Sequence, residues 1–145
     1  MIKKSPAKST KSEIFLGVDY GSRNIGLAFG RGGLAQPLKI ISGKNQASAI
    51  EDIVRVVIEN GVDKVVVGLP LTADDKETAQ SLETRRFAKI LKIKLKRPVE
   101  FVNEYETSLD ASKAMFGMGF SRNRREQHDH FSAALILKSY FELNL

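Results

Sequence analysis

Ile14-Phe15-Leu16-Gly17-Val18-Asp19-Tyr20-Gly21-Ser22-Arg23-Asn24-Ile25-Gly26-Leu27-Ala28-Phe29 is the stretch whose reading decides the fold. Residues 14–18 are a continuous apolar run, the pattern of a strand buried on both faces. Gly21 punctuates the run, residues 25–29 read as a second strand, and Gly30, Gly32 and Gly33 supply a turn. Leu38-Lys39-Ile40-Ile41 is a weaker third strand, so an antiparallel meander of three strands is expected. Asp19 closes the first of them. A carboxylate ending an apolar strand has to be paired, capped or bound to a metal ion if it is buried. Taken alone, Asp before Tyr-Gly is also ordinary turn chemistry.

Beyond the meander the period changes. Ile50, Ile53, Val54, Val57 and Ile58 follow helical spacing, and Asn60-Gly61 reads as the stop. Val65-Val66-Val67-Gly68-Leu69 is a buried strand ended by Pro70. A charged helix is expected near residues 76–96, with Ala79, Leu82, Phe87, Ile90 and Leu91 as its apolar positions. Pro98 ends it, and residues 99–102 form a short strand. Thr107-Ser108 can cap a helix to about Met115, with Asp110 completing a capping-box pattern, and a glycine-containing loop follows. A last helix is expected from near Gln127 to the end. Three strands, then alternating helix and strand, then closing helices, give a mixed α/β sheet with helices packed on it.

Composition narrows the class. The 145 residues suit one domain, read as residues 13–145 behind a basic flexible arm, residues 1–12, that holds Lys3, Lys4, Lys8 and Lys11. Cysteine is absent, which excludes a disulfide framework, a thiolate nucleophile and a cysteine-ligated zinc site. No apolar run approaches a membrane span, and the arm lacks the hydrophobic stretch of a secretory signal, so a cytoplasmic protein without a membrane partner is expected. The formal net charge of +6 favours a polyanionic partner such as nucleic acid, although many basic domains bind none. Arg122, Arg124 and Arg125 cluster in a loop just before Asp129. Their planar forks suit phosphate oxygens, and a solvated basic loop is the competing reading.

Two more carboxylates join Asp19. Asp129, Ala133, Ile136 and Tyr140 share one side of the last helix, so a carboxylate stands at the first turn of an apolar stripe, where a helix N-terminus tolerates negative charge. Glu104 follows the strand at 99–102 and by alternation shares a face with Val102, with Phe101 on the other. Each position also fits a solvated cap or strand end. Together they put three carboxylates at strand and helix ends, where open α/β sheets gather ligands. Clustered carboxylates repel one another unless a divalent cation neutralises them, and oxygen-only ligands suit magnesium or manganese.

These residues carry a resemblance. Gly17-Val18-Asp19-Tyr20-Gly21-Ser22-Arg23-Asn24-Ile25-Gly26-Leu27-Ala28, Val67-Gly68-Leu69-Pro70-Leu71, Glu104 through Ala111, and Asp129 with the helix to Phe141 resemble, in order, the YqgF/RuvX family. The resemblance implies an RNase H-like fold: a mixed five-stranded sheet with a three-strand meander and helices on both faces. It also implies a metal-dependent nuclease that trims the 5′ end of the small-subunit (16S) ribosomal RNA precursor. Asp19, Glu104 and Asp129 would then hold Mg2+ or Mn2+ and act in catalysis, and Arg23, Arg122, Arg124 and Arg125 would contact nucleic acid. The chain departs from the family pattern in places. Asn103-Glu104-Tyr105 stands where the family usually has Asp-Glu-Arg, Thr72-Ala73-Asp74-Asp75 replaces an Asn- and Gly-containing turn, and Gln127-His128 precede Asp129 in place of a basic residue. Two other functions stay open: a Holliday junction resolvase acting on branched DNA, which needs a homodimer rather than a monomer, and a non-catalytic RNA-binding ribosome-assembly factor. Asp19-Tyr20-Gly21-Ser22 also resembles the first phosphate loop of the actin and sugar-kinase superfamily, whose members close two such domains around ATP.

Overall fold

A computed structural model describes residues 12–104 and 125–144, with residues 125–130 by their backbone alone. Among the described residues, five strands form one sheet: β1 (Ile14–Asp19), β2 (Asn24–Arg31), β3 (Leu34–Ser42), β4 (Lys64–Leu69) and β5 (Val99–Asn103). Their order is β3-β2-β1-β4-β5. The meander pairs antiparallel, β1 with β2 and β2 with β3, while β1–β4 and β4–β5 are parallel. Helices α1 (Gln46–Asn60) and α2 (Ala79–Leu95) make the crossovers, and α3 (Arg125–Asn144) closes the chain.

Side-chain alternation splits the core into two layers. Leu16, Val18, Ile25, Val65 and Val67 pack under α1 and α2 with Ile53, Val57, Phe87 and Leu91. Ala28, Val66 and Val102 pack under α3 with Ala133, Ile136, Leu137 and Tyr140. β1 and β4 are therefore apolar on both faces, which is why they read as unbroken apolar runs.

α1 begins where the Asn45 side chain accepts a hydrogen bond from the Ser48 N–H at 3.0 Å and ends at Gly61, in the left-handed conformation at φ 63°. Its buried face includes Val56, while Ile58 is largely exposed. α2 differs more from expectation. Leu82 and Ile90 are exposed, and Ser81 and Thr84 are buried in their place. The reason is local hydrogen bonding. Thr78 and Ser81 form a reciprocal capping box, and the Thr84 hydroxyl donates to the Gln80 carbonyl, so both buried hydroxyls are satisfied within the helix.

β3 is longer than the run at 38–41 implies. It is an edge strand with mostly exposed positions, and it tolerates Pro37 beside a register shift against β2. The last helix starts two residues earlier than expected, at Arg125. Its C-terminal half is anchored at the start of the sheet. The Tyr140 hydroxyl donates to Glu100 at 2.8 Å, Lys64 meets Glu100 at 3.1 Å, and the Phe15 ring meets Phe141 edge-on at 5.0 Å. The bond to Glu100 holds the Lys64 ammonium above its ordinary pKa. The basic arm through residue 11 and the helix and loop expected between 107 and 122 lie outside the described residues.

Candidate active site

Alternation along β1 turns Phe15, Gly17 and Asp19 toward α3 and turns Leu16 and Val18 toward α1 and α2. The residue after Asp19 returns to the other side. Tyr20 is buried and stacks on Phe87 with ring centroids 4.3 Å apart, which pins the exit of β1. The turn that follows is held by Gly43, whose N–H donates to the Arg23 carbonyl at 2.8 Å. A side chain at Gly43 has no room, since its Cβ would lie 2.5 Å from the Gly21 carbonyl oxygen.

Glu104 directly follows β5, on the same face as Val102, which packs in the layer under α3. Strand β4 lies between β1 and β5, so the two carboxyl groups would have to meet across it. They do meet. Asp19 lies within side-chain hydrogen-bonding reach of Glu104. Gly68 makes this possible. It pairs with Val102 on β5, and a Cβ there would stand 2.7 Å from Glu104 Oε1 and 2.6 Å from Ile136 Cδ1. The carboxyl of Glu104 thus crosses the neighbouring strand through the space a side chain would occupy, with Oε1 sealed from solvent.

Burial pushes the Glu104 carboxyl above its ordinary value, and the hydrogen bond from Asp19 draws it part of the way back. A raised folded-state pKa means that Glu104 contributes stability below its unfolded value and loses it as pH climbs through the folded one. In the absence of divalent ions, Glu104→Gln should therefore melt with the parent near pH 4 and above it at pH 8, the gap widening in between. Melting curves across that range test this, and a parent more stable than Glu104→Gln at pH 8 would count against a strained carboxyl pair.

α3 runs antiparallel to β1. Leu137 and Phe141 lie over Gly30, and Leu137 and the Ala133 carbonyl lie over Gly17. Gly17 and Gly30 are the close-approach points, with Cβ positions 2.7 Å from atoms of the helix. One turn before Ala133, the helix carries position 129 toward the carboxyl end of β1. The side chains of Asp129 and Arg125, and all of Arg122 and Arg124, lie outside the described residues. Arg23 stands exposed in the β1–β2 turn, four residues past Asp19. Among the described residues no group of three His, Cys, Asp or Glu side chains is assembled to hold a metal ion. Among the described residues, no helix is long and apolar enough to cross a membrane.

Two features of this site carry no signal in the sequence pattern. Gly68 sits in an apolar run and contributes no side chain, so only its place between Asp19 and Glu104 shows its purpose. Asn103 donates from Nδ2 to Asp75 Oδ1 at 2.6 Å, a link between residues 28 apart that no local spacing announces.

Comparison with known proteins converges on one family. Residues 13–143 match the family model RuvX, described as Holliday junction resolvase. A relative from Chloroflexus aurantiacus, named provisionally a pre-16S rRNA nuclease, is 37% identical over 133 residues, covering 90% of this chain and 87% of its own. One from Aeromonas salmonicida, named the same way, is 34% identical over 134 residues, covering 90% and 96%. Among solved structures, RuvC of Thermus thermophilus in complex with a Holliday junction substrate aligns with a TM-score of 0.61 at 14% identity, covering 90% of this chain and 94% of its own. The Fowlpox virus resolvase in complex with Holliday junction DNA aligns at 0.57 with 15% identity, covering 91% and 99%. At those identities the likeness concerns the fold, which is the RNase H-like α/β fold expected from the sequence.

Proposed function

The chain belongs to the RuvX family, and from that premise we propose that it is a divalent-metal-dependent nuclease that processes the 5′ end of the small-subunit ribosomal RNA precursor. Hydrolysis of nucleic-acid ester bonds is the activity common to the family description and the named relatives. The observation that carries the metal-dependent reading is the Glu104 carboxyl, which crosses β4 through the Gly68 hollow to reach Asp19. Two carboxylates brought together repel one another, and a divalent cation beside them offsets that repulsion. Their oxygens are hard donors, which fit Mg2+ or Mn2+. Asp19 and Glu104 would hold the ion, with Asp129 as the third donor on the ground of its place in α3. Once bound, such an ion supplies Lewis-acid stabilisation of the charge that builds on phosphodiester oxygens.

The protein's own groups do the rest. Tyr20 on Phe87 and the Gly43 buttress keep Asp19 at a fixed strand end, and the Gly68 hollow keeps Glu104 beside it. Preset positions of this kind reduce the reorganisation needed at the moment of reaction. Arg23, Arg122, Arg124 and Arg125 are proposed to grip the phosphate backbone on the exit of β1 and the approach to α3. Affinity for single-stranded RNA should then fall with salt, and replacing Arg124 and Arg125 with alanine should flatten the log–log slope by about 1.4, two phosphate contacts' worth. Fluorescence anisotropy over a salt series measures it, and an unchanged slope assigns those arginines to the solvated surface.

A second reading, Holliday junction resolution, is favoured by the family description and by the junction-bound structural neighbours. It demands two active sites, hence a homodimer. A panel of precursor RNA containing the 5′ end of the small-subunit sequence, single-stranded RNA and four-way DNA junctions separates the readings. We expect cleavage of the precursor RNA with Mg2+ or Mn2+, none with EDTA, and no symmetric nicking of the junction. Junction cleavage by a dimer would replace the first reading with the second. RNA binding without cleavage under any divalent ion would leave an assembly factor.

A further inference from the structure

The loop between β4 and α2 is braced from within. The Thr72 N–H donates to the Lys76 carbonyl at 3.0 Å and the Asp75 N–H donates to the Thr72 carbonyl at 2.9 Å. The Lys76 N–H also donates to Thr72 Oγ1 at 3.0 Å, and Thr78 Oγ1 donates to the Pro70 carbonyl at 2.8 Å, closing the base of the loop. At the tip, Asp75 holds φ 62°, a left-handed conformation that Asp and Asn tolerate better than other residues with a Cβ.

From this tip a bond crosses to the sheet: Asn103 Nδ2 donates to Asp75 Oδ1 at 2.6 Å. Asn103 is the last residue of β5, paired with Leu69 at the end of β4, and the next residue is Glu104. Among the described residues β5 is an edge strand, with β4 as its neighbour in the sheet. A second brace joins the same two segments further back. Arg85 forks onto Glu77, at 3.0 Å and 2.7 Å, and its guanidinium lies 5.3 Å from the centroid of the Phe101 ring on the outer face of β5. The loop and the start of α2 therefore grip the end of β5 twice, immediately before the residue whose carboxyl must cross to Asp19.

We propose that Asn103 is a positioning residue for Glu104: its amide, held by Asp75, fixes the end of β5 so that the next carboxyl stays in the Gly68 hollow beside Asp19. The proposal rests on the nuclease reading above. It also explains the chemistry at 103. An amide can donate to Asp75, whereas a carboxylate there would face a like charge across 2.6 Å. Donor and acceptor could equally be exchanged between the two positions, because Asn is at home at a positive φ.

The test compares the parent with Asn103→Ala, Asp75→Ala, their double variant, Asn103→Asp, and the exchange variant Asp75→Asn with Asn103→Asp. Cleavage under saturating Mn2+, Mn2+ affinity by calorimetry and thermal melting are read for each. We expect each alanine variant to lower kcat about tenfold with KM nearly unchanged and to weaken Mn2+ binding about tenfold, the scale of losing an outer partner of a metal-holding group. The double variant should be no worse than either single one, as for two ends of one bond. Asn103→Asp alone should be the poorest, and the exchange variant should recover to within about threefold of the parent, since it restores one donor and one acceptor. If Asp75→Ala fails to fold, Asp75→Gly removes the same carboxylate while easing the positive φ. Variants that melt lower but keep kcat and Mn2+ affinity would overturn the proposal, leaving the bond a structural brace. So would an exchange variant no better than Asn103→Asp. A parent that neither cleaves nor binds Mn2+ overturns the nuclease reading itself, and the positioning role falls with it.

Discussion

Asp19→Asn should lower cleavage by about a thousandfold while the protein folds at least as stably as the parent. The two halves of this expectation come from the same geometry. Asp19 ends a strand fixed on one side by Tyr20 on Phe87 and meets Glu104 on the other. Replacing its carboxyl with an amide leaves shape and volume nearly unchanged. The amide can donate to Glu104, so the repulsion between two neighbouring carboxylates disappears. What is lost is negative charge where the cation would bind, and with it most of the stabilisation of the reacting phosphate. Single-turnover cleavage and thermal melting, measured on the same preparations, check both halves. Activity within tenfold of the parent would remove Asp19 from the metal site, and a strongly lowered melting temperature would make it a structural turn residue.

The second large effect separates two glycines that look alike in the sequence. At Gly17 an added Cβ would lie 2.7 Å from the Ala133 carbonyl oxygen and 2.7 Å from Leu137 Cγ. The first of these is helix backbone, which cannot step aside without moving α3 off the sheet. Gly17→Ala should therefore cost about 3 kcal/mol, the upper part of the range for overpacking, and lower the melting temperature by roughly 10 °C. At Gly68 the added Cβ would meet the ends of two flexible side chains, Ile136 Cδ1 at 2.6 Å and Glu104 Oε1 at 2.7 Å. Both can rotate away, so Gly68→Ala should cost about 1 kcal/mol in stability. The displaced carboxyl, however, should lower cleavage about a hundredfold, the scale of a 1 Å misplacement of a reacting group. The contrast is the test: one variant loses fold, the other loses function. A Gly68→Ala enzyme with parental activity would mean that the position of Glu104 does not matter.

Much of the fold was legible because the physics that forms it is local. β1 and β4 are buried on both faces and read as apolar runs, and the Asn60-Gly61 stop of α1 follows from the left-handed conformation that glycine adopts freely. Other parts depend on distant neighbours. β3 gains its length from pairing with β2 along an exposed edge, where Gln36, Pro37 and Lys39 give no alternation to read. The inner face of α2 contains Ser81 and Thr84 because each hydroxyl is satisfied within the helix, so hydrophobicity alone picks the wrong stripe. For the site, Asp19 and Glu104 could be singled out as carboxylates ending strands. Their meeting could not, since it depends on strand order, on the missing side chain of Gly68 between them, and on the hold of Asp75 on Asn103.

The order of strands across the sheet also sets an order in time. Asp19 faces Gly26 only seven positions away, so the β1–β2 hairpin closes a short loop. Pairing of β1 with β4 spans far more chain, as in the Ile14 N–H bond to Asp63 across 49 positions. With closure entropy growing as the logarithm of loop length, that sevenfold difference makes the parallel pairing dearer by roughly 1.7 kcal/mol before any contact rewards it. The meander is cheapest to close, and β4 pairs with β5 across 34 positions, as at Val65 and Val99, fewer than the 49 between Phe15 and Lys64, so by loop length alone the two halves of the sheet come before the β1–β4 seam. The two carboxyl groups thus enter in separate halves, Asp19 with the meander and Glu104 with the β4–β5 pair, and meet only across the β1–β4 seam. A chain stalled before that seam closes would hold both carboxyl groups and still lack the site.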